Sequence, residues 1–249
     1  MFSKKILTGA FTLALTVGVA ACGGGGGGGD SDGGVTGGSE SPEGLWSGTF
    51  TERTDSGDVT FDVQGLAYDG DLIMISESAG VVYEGRYSLS GSTLTAQVDA
   101  YDNGPIGTAT VTAEVDSRST IQGTFDTSYG TNGSINLGYE PVYDRDVALS
   151  DIAANWSGTS GGITTTIAID SQGNVNGSDG AGCQYNGTAE LIKAGKNLFR
   201  LSVTASNCGS ANGDYSGYAA LLDGTSRNSV LQYTLINSSY IIIDYLERQ

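Results

Sequence analysis

The chain has 249 residues, with 40 glycines, 3 prolines, no histidine and a formal net charge of −17. That length allows one large domain or two small ones. The negative balance repels nucleic acid and anionic lipid head groups, and without histidine the commonest general base and the commonest metal ligand are both excluded.

Residues 1–21 have the three parts of a secretory signal. Lys4 and Lys5 form a positive start, residues 6–19 are apolar apart from Thr and Gly, and small Ala20 and Ala21 precede Cys22. The run is too short and too rich in Gly and Thr for a membrane span. Loss of this leader takes Lys4 and Lys5 away and leaves 28 acids against 9 bases, a net −19. Val19-Ala20-Ala21-Cys22 resembles the lipobox of bacterial lipoproteins, which implies cleavage before Cys22 and lipidation of its thiol and new amino end. The alternative is an ordinary signal cleaved after Ala21 with a free Cys22. Several acyl chains, at about 0.8 kcal/mol per buried CH2, make a stable anchor. Gly23 rather than Asp follows the cysteine, and by resemblance to enteric sorting rules this favours the outer membrane, without deciding which of its faces.

Residues 22–43 are the expected tether: seven glycines from Gly23 to Gly29, then Asp30, Asp32 and more Gly and Ser. Such a segment buries too little apolar surface to offset its chain entropy. A phosphate-cradling loop is excluded because no strand precedes the run, no helix follows it and no Lys closes it.

Beyond the tether an internal repeat divides the chain into modules 44–147 and 151–249. Trp46-Ser47-Gly48-Thr49 recurs as Trp156-Ser157-Gly158-Thr159, Tyr83-Glu84-Gly85 pairs with Tyr185-Asn186-Gly187, and Tyr143 with Tyr245. One continuous sheet system across both halves is the alternative division. Within each half the apolar period is two. Val59-Phe61-Val63, Leu94-Ala96-Val98 and Ala109-Val111-Ala113-Val115 alternate in the first half, Phe199-Leu201-Val203 and Leu231-Tyr233-Leu235 in the second. Turn signals fall between the runs at Asp69-Gly70, Ser90-Gly91, Asn132-Gly133, Gln172-Gly173-Asn174 and Asp223-Gly224. This predicts seven or eight strands of five to eight residues per module, with helix only as a short turn within 147–154. Hairpins with one apolar face must close into a barrel or fold into a sandwich. The fold class is therefore all-β: two tandem small antiparallel barrels of about eight strands, or barrel-like sandwiches.

A Trp near the first strand with Gly two residues on resembles the start of lipocalin- and avidin-like barrels, which implies that Trp46 and Trp156 plug one end of each barrel. Lipidated Cys22, glycine tether and paired barrels together resemble Gram-negative surface lipoproteins such as the factor H-binding and transferrin-binding families. The likeness is one of arrangement and carries over no binding residue.

Cys22 being assigned to the lipid, Cys183 and Cys208 remain as one disulfide, expected in an oxidising compartment. A loop of about 25 residues gives it roughly 3.5 kcal/mol in the chain-entropy model. A redox or metal pair lacks CxxC spacing, His or a base cluster. Asp99–Gly104 and Asp170–Asp179 are acidic, Asn- and Gly-containing segments that match turn chemistry better than a calcium loop. Residues 44–150 hold 16 acids and 4 bases, and 151–249 hold 8 and 5. The first module thus has an acidic face, with Asp62, Asp69, Asp71, Glu77 and Glu84 on neighbouring strands. No pair of these is singled out for glycoside chemistry, and no Ser/His/Asp set or GxSxG motif exists. Among the 13 tyrosines, Tyr101, Tyr129, Tyr215 and Tyr218 fall near turns or beside Gly and Asp, where exposed rings serve binding.

The expected function is non-catalytic binding of a protein or glycan at the cell surface, without cofactor, metal or nucleic acid, by a lipid-anchored outer-membrane protein. The alternatives are a lipocalin-like carrier of a small apolar ligand and a periplasm-facing structural or assembly lipoprotein.

Overall fold

The computed structural model describes residues 5–8, 40–102 and 104–249. Cys22, most of the leader and residues 22–39 of the tether lie outside the described residues.

Strand β1 is Lys5–Thr8, and the first barrel follows as β2 (Gly44–Thr54), β3 (Gly57–Tyr68), β4 (Asp71–Ser76), β5 (Val81–Ser90), β6 (Thr93–Tyr101), β7 (Pro105–Asp116), β8 (Thr120–Thr127) and β9 (Asn132–Tyr139). Each strand pairs antiparallel with the next, and β2 closes the ring on β9 through eight pairs, from Trp46↔Tyr139 to Arg53↔Asn132. A 3-10 turn at Pro141–Asp144 and one helical turn, α1 (Leu149–Ile152), lead into the second ring. Its strands are β10 (Ala154–Ser160), β11 (Ile163–Ile169), β12 (Asn174–Asp179), β13 (Gln184–Leu191), β14 (Phe199–Ser206), β15 (Gly213–Leu222), β16 (Val230–Ile236) and β17 (Tyr240–Arg248).

The molecule is thus two closed eight-stranded antiparallel barrels in tandem, the all-β class that the period-two pattern predicts. Several strands of the first barrel are longer than expected, 11 residues in β2 and 12 in β3 and β7. The alternation continues past the buried stretch into rim positions where neither face is covered.

Each barrel is filled by its inward residues. Val63, Leu94, Ala96, Val98, Val111 and Val115 pack with Trp46 in the first, and Phe199, Leu201, Val203, Leu221, Leu231 and Leu246 with Trp156 in the second. Close strand approach is kept by glycines without turns: a Cβ on Gly85 would lie 2.0 Å from Gln97 O, and one on Gly217 1.9 Å from Thr234 O.

The barrels pack together. Ile75, Val82 and Tyr101 of the first meet Ile241 and Ile243 of β17, while Leu45, Leu66 and Tyr143 meet Leu198 and Ala220. Gln64 Nε2 donates to the Tyr245 hydroxyl at 2.5 Å, and that hydroxyl donates to Glu77 Oε1 at 2.9 Å. The connecting segment is clasped onto the second barrel. Arg145 bonds both oxygens of Asp223 at 2.8 and 2.7 Å. Fully buried Asn197 donates to Leu221 O at 2.6 Å and accepts from Leu221 N at 2.9 Å, and its backbone N–H reaches Tyr143 O at 2.9 Å.

Candidate functional site

Where β4, β5 and β6 of the first barrel face β14 and β15 of the second, a cleft of about 510 Å3 remains open. The pleat builds its first wall. Asp71 pairs with Arg86, Ile73 with Glu84, and Glu84 with Asp99, so residues of one face stand side by side across three strands. The second barrel contributes Arg200, Ser216, Gly217 and Tyr218. Gly217 follows from the close approach to β16 and leaves that one position of the wall without a side chain.

The polar groups are ordered by each other. Arg86 Nη1 lies 2.8 Å from Asp71 Oδ1, and the Tyr218 hydroxyl donates across the cleft to Asp71 Oδ2 at 3.1 Å. The Tyr218 ring stands edge-on to Tyr68, centroids 5.9 Å apart. Desolvation first, and then the charge of Asp71, pushes the Tyr218 hydroxyl up to about 12. Tyr101 is likewise pushed up to about 12 by desolvation, then by Asp99 and Glu84. Both phenols are therefore neutral donors at physiological pH, standing next to carboxylates. Glu84 directly opposite Asp99 concentrates negative charge on one wall, a pairing that costs stability in an antiparallel sheet. The arrangement offers hydrogen-bond acceptors, two phenolic tips and a negative wall to a polar or cationic ligand.

Of the tyrosines singled out in the sequence, Tyr101 and Tyr218 line this cleft. Tyr129 stands elsewhere, 74% exposed on the β8–β9 turn. Tyr215 is 3% exposed within the second core, its hydroxyl donating to Ala211 O at 2.8 Å; its inward position on β15 presents it to no partner. Asp71 and Glu84 enter the cleft, whereas Glu77 serves the contact with Tyr245. Trp46 and Trp156 are 1% and 0% exposed, each at the start of its barrel's first strand, and each indole N–H donates to the carbonyl four residues earlier, Pro42 at 2.8 Å and Ile152 at 2.9 Å.

Cys183 and Cys208 form a disulfide, Cα atoms 4.7 Å apart, joining the start of β13 to the turn after β14. The acidic segment 170–179 spends its carboxylates on its own turns. Asp170 accepts from the amides of Gln172 and Asn174 at 2.9 and 2.8 Å, and Asp179 from Ala181, Cys183 and the Tyr185 hydroxyl. The side-chain and backbone bonds from Asn174 hold Asp170 below the usual carboxylate range. Among the described residues no group of three or more His, Cys, Asp or Glu is placed to hold a metal ion.

Sequence reasoning missed Arg86, Arg200 and the cleft itself. A signal existed. Leu72-Ile73-Met74-Ile75 and Ile241-Ile242-Ile243 are continuous apolar runs, and an unbroken run in a strand indicates burial on both faces. Those two strands are among the ones that meet between the barrels. No protein-family model matches the chain, and no curated protein matches it.

Proposed function

We propose that this chain is a non-catalytic binding protein, lipid-anchored through Cys22 at the outer membrane, which takes a protein or glycan into the cleft between its barrels. The observation that carries the reading is the pairing of Glu84 with Asp99 on a cleft wall that also holds Asp71, Tyr101 and Tyr218. Like charges set opposite each other weaken a sheet; with Asp71 they outnumber the two arginines of the cleft, Arg86 and Arg200, by three to two, which favours a cationic group. The net −12 of residues 44–150 (16 acids, 4 bases) adds a long-range pull on a basic partner. A protein segment presenting Lys or Arg, or an amino-bearing glycan, has the matching chemistry. Both barrel interiors are filled with packed apolar side chains, which favours the cleft over an internal calyx as the place for a ligand.

Two measurements test the reading. Protease shaving of intact cells, with a lysed control, removes the barrels if they face outward; protection until lysis turns the search to periplasmic partners. Binding of basic peptides and amino glycans to the purified protein is then compared with that of the Glu84→Gln/Asp99→Asn variant. At least a tenfold loss is expected, steeper at low salt. Equal binding by a folded variant would remove the cleft from the account.

A further inference from the structure

The two barrels close differently. In the first, β2 meets β9 over eight pairs. In the second, β10 meets β17 at Trp156↔Arg248 and Ser157↔Glu247 alone. The cause is local. Gly161 and Gly162, with φ of 56° and 81°, turn the β10–β11 hairpin back directly after Ser160, and β10 has 7 residues where β2 has 11. The first half of β17 therefore runs on past the end of its neighbour.

Antiparallel pairing fixes which backbone groups this leaves over. Asn237 N donates to Tyr240 O at 3.0 Å, and Arg248 N to Ser229 O at 2.9 Å, so the even-numbered residues of β17 point their amides and carbonyls at β16. The odd-numbered ones point away. Gln249 N accordingly reaches Asn155 O at 2.9 Å on the β10 side, and Tyr245 N is taken by the Asp244 carboxylate at 2.8 Å. Ile241 and Ile243 come next, and there β1 is the pairing strand: it lies parallel to β17 in the register Lys5↔Tyr240, Ile6↔Ile241, Leu7↔Ile242 and Thr8↔Ile243. With β1 in place Ile241 and Ile243 are 0% and 3% exposed, packed against Ile75, Val82 and Tyr101.

On the lipoprotein reading proposed above, cleavage before Cys22 removes the leader that carries β1. We infer that the Tyr240–Ile243 edge of β17 is a strand-addition site, which in the processed protein takes an extended apolar segment of a partner protein in parallel orientation. An unpaired edge with aligned donors and acceptors is a template for such pairing. Beside it stands the apolar wall of Ile75 and Val82. The Asp244 carboxylate on Tyr245 N ends the edge and so sets the register of what binds. This rests on reading the chain as a binding protein, but uses a different surface from the cleft.

The test uses protein extracted from membranes, its cleavage confirmed by intact mass, and a peptide of residues 3–10 as probe. Amide exchange is followed residue by residue. Without peptide, Ile241 and Ile243 should exchange fast while Ile242 stays protected; with peptide, both should slow at least tenfold. In the parallel register the Leu7 backbone faces β17 and that of Ile6 faces away. N-methylation at Leu7 should therefore weaken binding at least tenfold, and N-methylation at Ile6 should not. Equal effects of the two methylations, or no slowing at Ile241 and Ile243, would overturn the inference. Protection without peptide that rises with protein concentration would also overturn it, by assigning the edge to a second copy. Peptide failure with intact cleft binding would sink this inference alone and leave the proposed function standing.

Discussion

Tyr139 and Arg248 hold the same station in the two barrels. Each ends the last strand of its ring, pairs with the first-strand tryptophan and lays its side chain on that indole: Tyr139 meets Trp46 edge-on at 5.3 Å, and the Arg248 guanidinium stands 4.6 Å over Trp156. An aromatic contact at one seam is thus replaced by a cation–π contact at the other. Arg248 also donates to Asn228 O at 3.2 Å and to Asp151 O, tying the helical turn and the β15–β16 loop to the shorter seam.

With only two β10–β17 pairs behind it, that seam depends on Arg248 more than the first depends on Tyr139. Arg248→Ala should lower stability by about 3 kcal/mol or more, the order expected of a partly desolvated cation–π contact and two charge-assisted bonds together. Urea unfolding gives the value. Arg248→Lys should recover only part of it, since a single ammonium does not reproduce the planar fork.

This station also shows where the sequence could and could not be read. The repeat aligns Tyr143 with Tyr245, but Tyr143 lies in the 3-10 turn beyond β9 and Tyr245 within β17. The position matching Arg248 is Tyr139, which the repeated Trp46 and Trp156 reveal only through strand pairing. Alternation exposed the hairpins because a period of two is local. Tyr83 and Tyr185, each on its barrel's fourth strand, were likewise matched from local spacing. The unbroken apolar runs mark two strands as covered on both faces, but which segments meet stays hidden, because the contact joins residues as far apart as Gln64 and Tyr245 and no local period encodes such a distance. The cleft is a product of that contact, so its residues were found singly, as acids and tyrosines, and never as a set.

The Tyr245 hydroxyl bridges the barrels, accepting from Gln64 and Gln232 and donating to Glu77. Tyr245→Phe leaves those groups to re-pair and should cost about 1–3 kcal/mol. Combined with Glu77→Gln it should be less than additive, because both changes break one network. Full additivity in a double-mutant cycle would mean that the bridge is not formed in solution.

Two carboxyls should respond to pH in opposite senses. Burial works to raise Asp223, but the hydrogen bonds and charge of Arg145 outweigh it and hold the carboxyl below its usual range. It therefore contributes stability above that range and loses it as pH falls through its lowered value. Asp244 is raised by burial, partly offset by the bond from Tyr245 N. The folded chain then holds this proton more tightly than the unfolded chain, so its contribution is lost as pH rises through the raised value. Asp223→Asn should lower the urea midpoint at pH 7 and have little effect well below the carboxylate range. Asp244→Asn, which keeps an acceptor for Tyr245 N, should raise the midpoint at pH 7 and converge with the parent chain in acid.

Tyr143 is 1% exposed, wedged between Leu45, Leu66, Leu198 and Ala220, with Lys196 Nζ 5.1 Å from its ring centre. Its hydroxyl is buried without a hydrogen-bond partner among the described residues. The ring therefore stabilises the contact between the barrels while the oxygen opposes it, since burying an unsatisfied hydroxyl costs about 1–3 kcal/mol. Tyr143→Phe keeps the ring and removes that cost, and should leave stability unchanged or raise it by up to about 2 kcal/mol. Tyr143→Ala removes the ring and should cost about 3–5 kcal/mol, as for other large buried aromatics. A loss of more than about 1 kcal/mol in Tyr143→Phe would show that the hydroxyl is satisfied by an ordered water, and that this water is part of how the two barrels hold together.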